Sequence, residues 1–221
     1  MTPRILSLNI RMWTRDCRKS GGHYWKDRYK AIRTYIRNED PAIICLQEVW
    51  FPAGLVLQLG KLGYKKTGFG FTHPIYVRKH FEVKKCRTSY YVTAAVVNYI
   101  HVFSVHAHWD SSRFARAMAW IRRKVEQSSS LAMGKVVCAG DFNTSNIAKI
   151  GEALEMSSAR EKLGLPAEDT FENYKRPTQS HGEIDHFFCP AGIVPQNYHV
   201  YSGIEDFSDH RPIIMTFNIN N

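Results

Sequence analysis

The chain has 221 residues, 44% of them hydrophobic and 23% charged, with 14 glycines and 9 prolines. That composition belongs to a soluble globular protein large enough to bury a substantial core, and it excludes disordered and fibrous classes. Thirty Lys plus Arg against 20 Asp plus Glu give a net charge of +10. Such a surface attracts nucleic acid, acidic lipid headgroups or phosphorylated small molecules, or else only keeps the protein soluble.

In chain order, the first strand is read at residues 4–10, almost at the first residue. The basic leader, longer apolar segment and small-residue cleavage site of a secretory signal are missing. No apolar run approaches the roughly 18 residues of a membrane span. A cytoplasmic location is therefore expected, and the cysteines agree with it. Cys17, Cys45, Cys86, Cys138 and Cys189 are odd in number, widely spaced and form no C-x-x-C pair. They read as free thiols in a reducing compartment, not as a disulfide framework or a structural zinc site.

From Trp25 to Asn38 the apolar residues Trp25, Tyr29, Ile32 and Ile36 recur at helical spacing. Pro41 closes that segment, and Ala42 to Val49 is a continuous apolar run, as expected of a buried strand. A short helix around Ala53 to Lys61 follows. Strand-like runs come next at 75–78, 81–85, 91–98 and His101 to His106. Arg113 to Gln127 predicts a second amphipathic helix, Lys135 to Ala139 a short strand, and Ile147 to Met156 a third helix. Ile184 to Cys189, Tyr198 to Tyr201 and Pro212 to Phe217 read as strands. Nothing resembles a linker or a repeat, so residues 1–221 are expected to form one α/β domain with helices covering its sheets.

Several polar residues stand where apolar strands end. Asn9 interrupts the first strand, Glu48 closes Ile43-Ile44-Cys45-Leu46, and His106 ends Val102-Phe103-Ser104-Val105. Asp141 and Asn143 follow Val136 to Gly140, Asp185 follows Ile184, and Asp209-His210 precede Pro212-Ile213-Ile214. In α/β proteins such strand ends converge on one edge, where sites form. Each residue alone could be a turn, a cap or a solvated end. As a set, four carboxylates, two amides and two histidines make an oxygen-rich group suited to Mg²⁺ or Mn²⁺. Asp141 and Asn143, two apart, would point the same way if their segment were extended.

The ordered motifs Ser7-Leu8-Asn9, Leu46-Gln47-Glu48-Val49, Val105-His106, Gly140-Asp141-Phe142-Asn143, Ile184-Asp185 and Ser208-Asp209-His210-Arg211-Pro212 resemble the signature of the endonuclease/exonuclease/phosphatase superfamily. That group includes pancreatic-type deoxyribonucleases, abasic-site endonucleases, inositol polyphosphate 5-phosphatases, neutral sphingomyelinases and deadenylases. The resemblance implies a four-layered α/β sandwich with two facing mixed β-sheets flanked by helices. It implies metal binding by Glu48, with Asn9 beside it holding metal-bound water or phosphate, and by Asp209. Asp141 would orient or deprotonate the attacking water, and Asn143 would hydrogen-bond the phosphoryl oxygens. His210 would contact the scissile phosphate while Asp185 holds its ring, and His106 would stand opposite. Asn9, Asn143, His106 and His210 are thus the expected substrate contacts.

The favoured expectation is a Mg²⁺- or Mn²⁺-dependent nuclease acting on DNA or RNA as a monomer. The same chemistry on a phosphoinositide, a phospholipid headgroup or a small phosphorylated metabolite is the alternative. A binding protein on an inactive enzyme fold is disfavoured, because every acidic, amide and histidine position is intact. The length is short for the family, so substrate-selecting insertions are expected to be trimmed, and Phe69 to Arg78 does not clearly match the usual middle motif. Trp13, Arg15, Trp25 and Arg28 lie where relatives build substrate contacts. His108 follows His106 by two and could support it, whereas His186 alternates away from Asp185 and reads as structural. His23, His80, His101 and His199 have no motif partner.

Overall fold

The computed structural model describes residues 2–11, 25–50, 57–67, 72–127, 134–172, 182–202 and 208–220. Trp13, Arg15, Cys17 and His23, and the start of the helix expected from Ala53, lie outside those residues.

Two six-stranded sheets face each other. The first runs β11 (Ile193–Val200), β12 (Ile213–Ile219), β1 (Arg4–Asn9), β2 (Ile43–Gln47), β4 (Ile75–Arg78) and β3 (Tyr64–Thr67). The second runs β5 (Val83–Thr88), β6 (Val92–Val97), β7 (Ile100–His106), β8 (Val136–Asp141), β10 (Asp185–Cys189) and β9 (Ser157–Ser158). β1 pairs with β2 in parallel, as β7 does with β8, while the other named pairings are antiparallel. Each parallel pair is bridged by a helix, because parallel neighbours need a crossover: α1 (Trp25–Glu39) and α2 (Ser111–Glu126). Further helices span Ile147–Leu154 (α3) and Ala159–Lys162 (α4).

The layers follow from alternation along the strands. Ile5, Ile43, Cys45, Val102, Val137 and Ala139 point between the sheets and share one core. Leu6, Leu8, Ile44 and Leu46 point outward onto Tyr29, Ile32 and Ile36 of α1. Phe103, Val105, Val136 and Cys138 point outward onto Phe114, Ala117, Met118 and Ile121 of α2 and Ile150 of α3. The architecture is therefore a four-layered α/β sandwich, two mixed sheets flanked by helices.

Along the inner faces the chemistry changes toward one end of the sandwich. Beyond the apolar layer lies a buried polar layer, in which Gln47 Nε2 donates to Ser7 Oγ and Ser104 Oγ, both at 3.3 Å. Asn9, Glu48, His106 and Asp141 come next, at or just past the carboxyl ends of β1, β2, β7 and β8. A parallel pairing puts the carboxyl ends of both its strands on one edge, so these residues gather there.

Most expected elements occur with shifted ends: 81–85 becomes Val83–Thr88, Tyr198 to Tyr201 begins back at Ile193, and Ile147 to Met156 stops at Leu154. In the described part of the Ala53 to Lys61 segment the structure has a 3₁₀ turn at Leu59–Leu62. β3 and the two-residue β9 carry too little pattern to be read from sequence. Cys45, Cys86, Cys138 and Cys189 are free thiols. Among the described residues no helix is long and apolar enough to cross a membrane.

Candidate active site

The edge where the parallel strands end opens into a cavity of about 720 Å³. Glu48, His106, Asp141, Asn143, Asp209 and His210 line it. Asp141 is at its centre. Asn9 Nδ2 donates to Asp141 Oδ2 at 3.1 Å, and also to Glu48 Oε1 at 3.4 Å. His106 Nε2 and His210 Nε2 stand 3.7 and 3.8 Å from the same Asp141 oxygen. His106 Nε2 is 3.9 Å from Glu48. The two histidines therefore approach one carboxylate, His106 from β7 and His210 from the loop before β12.

Local backbone geometry supplies part of this arrangement. Glu48 has φ +55° immediately after β2, and Asn143 has φ +52°. Left-handed backbone is uncommon for residues with a Cβ and concentrates at functional sites. The segment from Asp141 to Asn143 is thus a turn, contrary to the extended reading. Its geometry lets Asn143 N donate to Asp141 Oδ1 at 2.8 Å, and one amide proton of Asn143 Nδ2 goes to Ala107 O at 2.9 Å.

Asp185 lies directly across from Asp141 in the β8–β10 register. Thr170 Oγ1 accepts from the amides of Ile184 and Asp185 at 3.0 and 2.9 Å, fixing that strand start. Asp185 Oδ2 receives His210 Nδ1 at 2.9 Å. The loop bearing His210 is tied down on both sides. Ser208 Oγ donates to Asn9 O at 2.7 Å, and Phe171 and His210 form a β-bridge.

Burial opposes charge on His210, but Asp185, Asp141 and Asp209 outweigh it and raise the imidazole to about 10. At neutral pH it is cationic. Burial also pushes the Asp141 carboxyl above its ordinary range, against the pull of His210 and His106. A raised carboxyl is a better proton acceptor.

The donors at this edge differ in their fit to a divalent cation. Among the described residues, Asp141, Asp185 and His210 form a cluster with ligand atoms within 4.8 Å of one another. His210 Nδ1 and Asp185 Oδ2 are committed to each other at 2.9 Å, however. That trio is better described as a hydrogen-bonded Asp185–His210 pair with Asp141 facing its other nitrogen at 3.8 Å. Glu48 fits a hard cation: its carboxylate faces the cavity with the side chain 15% exposed, beside the Asn9 amide. Asp209 is a weaker donor, because Arg11 Nη1 lies 3.4 Å from its Oδ2.

Other sequence candidates occupy structural positions. Arg28 is 1% exposed and donates to Ile10 O at 3.0 Å, steadying the chain just after Asn9. Trp25 packs edge-on against Tyr29. His186 is buried and its Nε2 meets Thr144 O at 3.1 Å. His108 lines the cavity.

Sequence reasoning missed His73 and the aromatic wall. His73 is buried in the lining, with Nδ1 on Thr72 Oγ1 at 2.7 Å and Nε2 on Ser89 O at 3.3 Å. It joins a loop of the first sheet to a hairpin of the second, and no sequence signal marks it. Trp50, Tyr90, Tyr91, Trp109 and Phe171 also line the cavity. Trp50 and Trp109 lie two and three residues beyond Glu48 and His106, and Tyr90-Tyr91 occupy a hairpin where Gly or Asn is usual. Those placements were the available clue.

Known proteins share this architecture. The profile of the endonuclease/exonuclease/phosphatase family matches residues 7–210. An endonuclease/exonuclease/phosphatase from Bacteroides vulgatus superposes with a TM-score of 0.83 at 17% identity, over 100% of both chains. D. rerio TDP2 complexed with single strand DNA product gives 0.72 at 16% identity, covering 98% of this chain and 99% of that one. The mannosyl-6-phosphatase Bt3783 of Bacteroides thetaiotaomicron gives 0.74 at 18%, covering 98% and 100%. At these identities the likeness shows the fold alone. Comparison with curated protein sequences returns no match. On the profile match over nearly its whole length, the chain belongs to the endonuclease/exonuclease/phosphatase family of phosphoester hydrolases.

Proposed function

We propose that this protein is a Mg²⁺- or Mn²⁺-dependent phosphodiester hydrolase that cleaves DNA or RNA by attack of water, acting as a single-domain monomer. One observation carries the reading: a buried carboxylate, Asp141, faces Asn9 and the Nε2 atoms of His106 and His210 at the floor of one cavity. The +10 charge favours a polyanionic substrate.

Glu48, supported by Asn9 and with Asp209 as a weaker donor, would hold the cation. When bound, the ion polarises a phosphoryl oxygen and offsets its growing charge. Asp141 orients water and takes its proton, a role its raised pKa suits. Cationic His210 donates to the phosphoryl oxygen, and Asp185 fixes its ring and charge through Nδ1. His106 donates from the opposite side, and the second amide proton of Asn143 adds a further donor. These groups are positioned before reaction, which is where most stabilisation of phosphoryl transfer originates.

The test compares wild type with Glu48→Ala and Asp141→Ala on plasmid DNA, RNA, phosphoinositide and bis(p-nitrophenyl) phosphate, with and without Mg²⁺. Nucleic-acid cleavage that needs both the metal and the two carboxylates is expected. Cleavage that survives EDTA or either substitution overturns the metal-phosphoesterase reading. Activity confined to phosphoinositide removes the nucleic-acid assignment and leaves the chemistry.

A further inference from the structure

Part of the cavity wall has no role in the chemistry above. Tyr90 and Trp109 are the most exposed large hydrophobic side chains among the described residues, at 84% and 79%. They belong to a continuous run of rings. Tyr90 meets Tyr91 edge-on at 4.9 Å, Tyr91 meets His108 at 6.1 Å, and His108 meets Trp109 at 4.9 Å. Single exposed aromatics need no explanation, but a run of them at the mouth of a catalytic cavity marks a binding surface.

Past Tyr90 and Tyr91 lies a second recess of about 340 Å³, closed by Arg113 and Arg116. These arginines are three apart in the first turns of α2 and so share a face. His108 connects the two sites. Its Nδ1 accepts from the Asp110 amide at 2.9 Å, and its Nε2 lies 3.1 Å from Arg113 Nη1. A neutral imidazole has one bare nitrogen, so the Asp110 amide and Arg113 compete for a single acceptor. A phosphate oxygen beside Arg113 would supply a second one.

We propose that this rim is a subsite for an unpaired nucleic-acid strand. Bases flanking the scissile phosphate stack on Tyr90 and Trp109, and a neighbouring phosphate enters the recess between Arg113, Arg116 and His108. Alternating rings and cations match the alternating bases and phosphates of a single strand. In a duplex the base faces are already covered by stacking, so the exposed rings select an unpaired strand. This inference rests on the nucleic-acid reading above and adds the strand state and the residues that choose it.

The experiment uses the full chain with Mg²⁺, on a labelled single-stranded oligonucleotide, its duplex and bis(p-nitrophenyl) phosphate. Tyr90→Ala, Trp109→Ala and Arg113→Gln are compared with wild type, with circular dichroism confirming that each is folded. Wild type is expected to prefer the single strand to the duplex. Each aromatic substitution is expected to raise KM for the oligonucleotide roughly 10-fold, well beyond any change on the small diester. Arg113→Gln is expected to flatten the salt dependence of oligonucleotide binding by about one ion. Equal cleavage of single strand and duplex, or losses equal on both substrates, overturns the subsite while leaving a nuclease. Wild-type activity on the small diester but on no nucleic acid overturns the nuclease reading, and the subsite with it.

Discussion

Replacing Gly140 by alanine tests whether close strand approach, as well as hydrogen bonding, sets the separation of His106 and Asp141. Gly140 sits opposite Val105 in the parallel register, one step before the His106–Asp141 pair. A Cβ added there would lie 2.0 Å from Val105 O and 2.8 Å from its carbonyl carbon, and φ is +152°. No rotamer relieves a clash between backbones, so β7 and β8 must part or a peptide must turn. Dihedral strain of about 1–3 kcal/mol and overpacking of about 1–3 kcal/mol together predict a loss of about 2–6 kcal/mol. In a chain of this size that is a fall in Tm on the order of 4–24 °C. Gly164 gives an open-space reference for a positive φ, with φ +65° and nothing within 4 Å of an added Cβ. Gly164→Ala is expected to cost about 1 kcal/mol. Urea unfolding followed by circular dichroism measures both variants. A Gly140→Ala loss no greater than that of Gly164→Ala refutes the packing argument. With the strands parted, kcat for the folded Gly140→Ala protein is also expected to fall.

Three further outcomes follow from the site and its supports. Asp185→Asn removes the anion beside His210 Nδ1 and is expected to lower kcat about 100-fold or more; wild-type kcat in a folded variant refutes that pairing. Arg28→Met leaves the Ile10 carbonyl without its buried donor and is expected to cost about 2–4 kcal/mol. An unchanged urea midpoint counts against that role. His73 supplies a pH dependence: burial is the largest of the causes that hold its folded pKa at about 4 against an ordinary 6.5. The unfolded chain therefore takes up a proton that the folded protein refuses. The stability from neutral His73 is full above pH 6.5 and is lost as pH falls toward 4. At about 1.4 kcal/mol per pH unit, that loss is about 3 kcal/mol. Wild type should lose about that much more than His73→Gln across this window, and parallel stability curves would exclude the effect.

By itself the sequence determined which strands end in polar groups. Asn9, Glu48, His106, Asp141 and Asp185 are legible because each breaks an apolar run, and burying a polar group has a cost that function can explain. The amphipathic helices were legible for a similar reason: Tyr29, Ile32 and Ile36, or Phe114, Ala117 and Ile121, mark the face each helix buries. Short elements were not, because two residues at Ser157–Ser158 carry no period and form a strand only through β10.

The relations among the functional residues belong to the tertiary structure. Asp141 faces Asp185 only through the antiparallel β8–β10 register. His210 is cationic because Asp141 and Asp185, both far from it in sequence, converge on it beside the neighbouring Asp209. The turn at Asn143 forms where Asp141 Oδ1 accepts its amide. The aromatic rim gathers residues 50, 90–91, 109 and 171 from separate loops. Composition and periodicity act over a few residues, whereas electrostatic coupling and cavity shape depend on distances between segments that meet only once the sheets have packed.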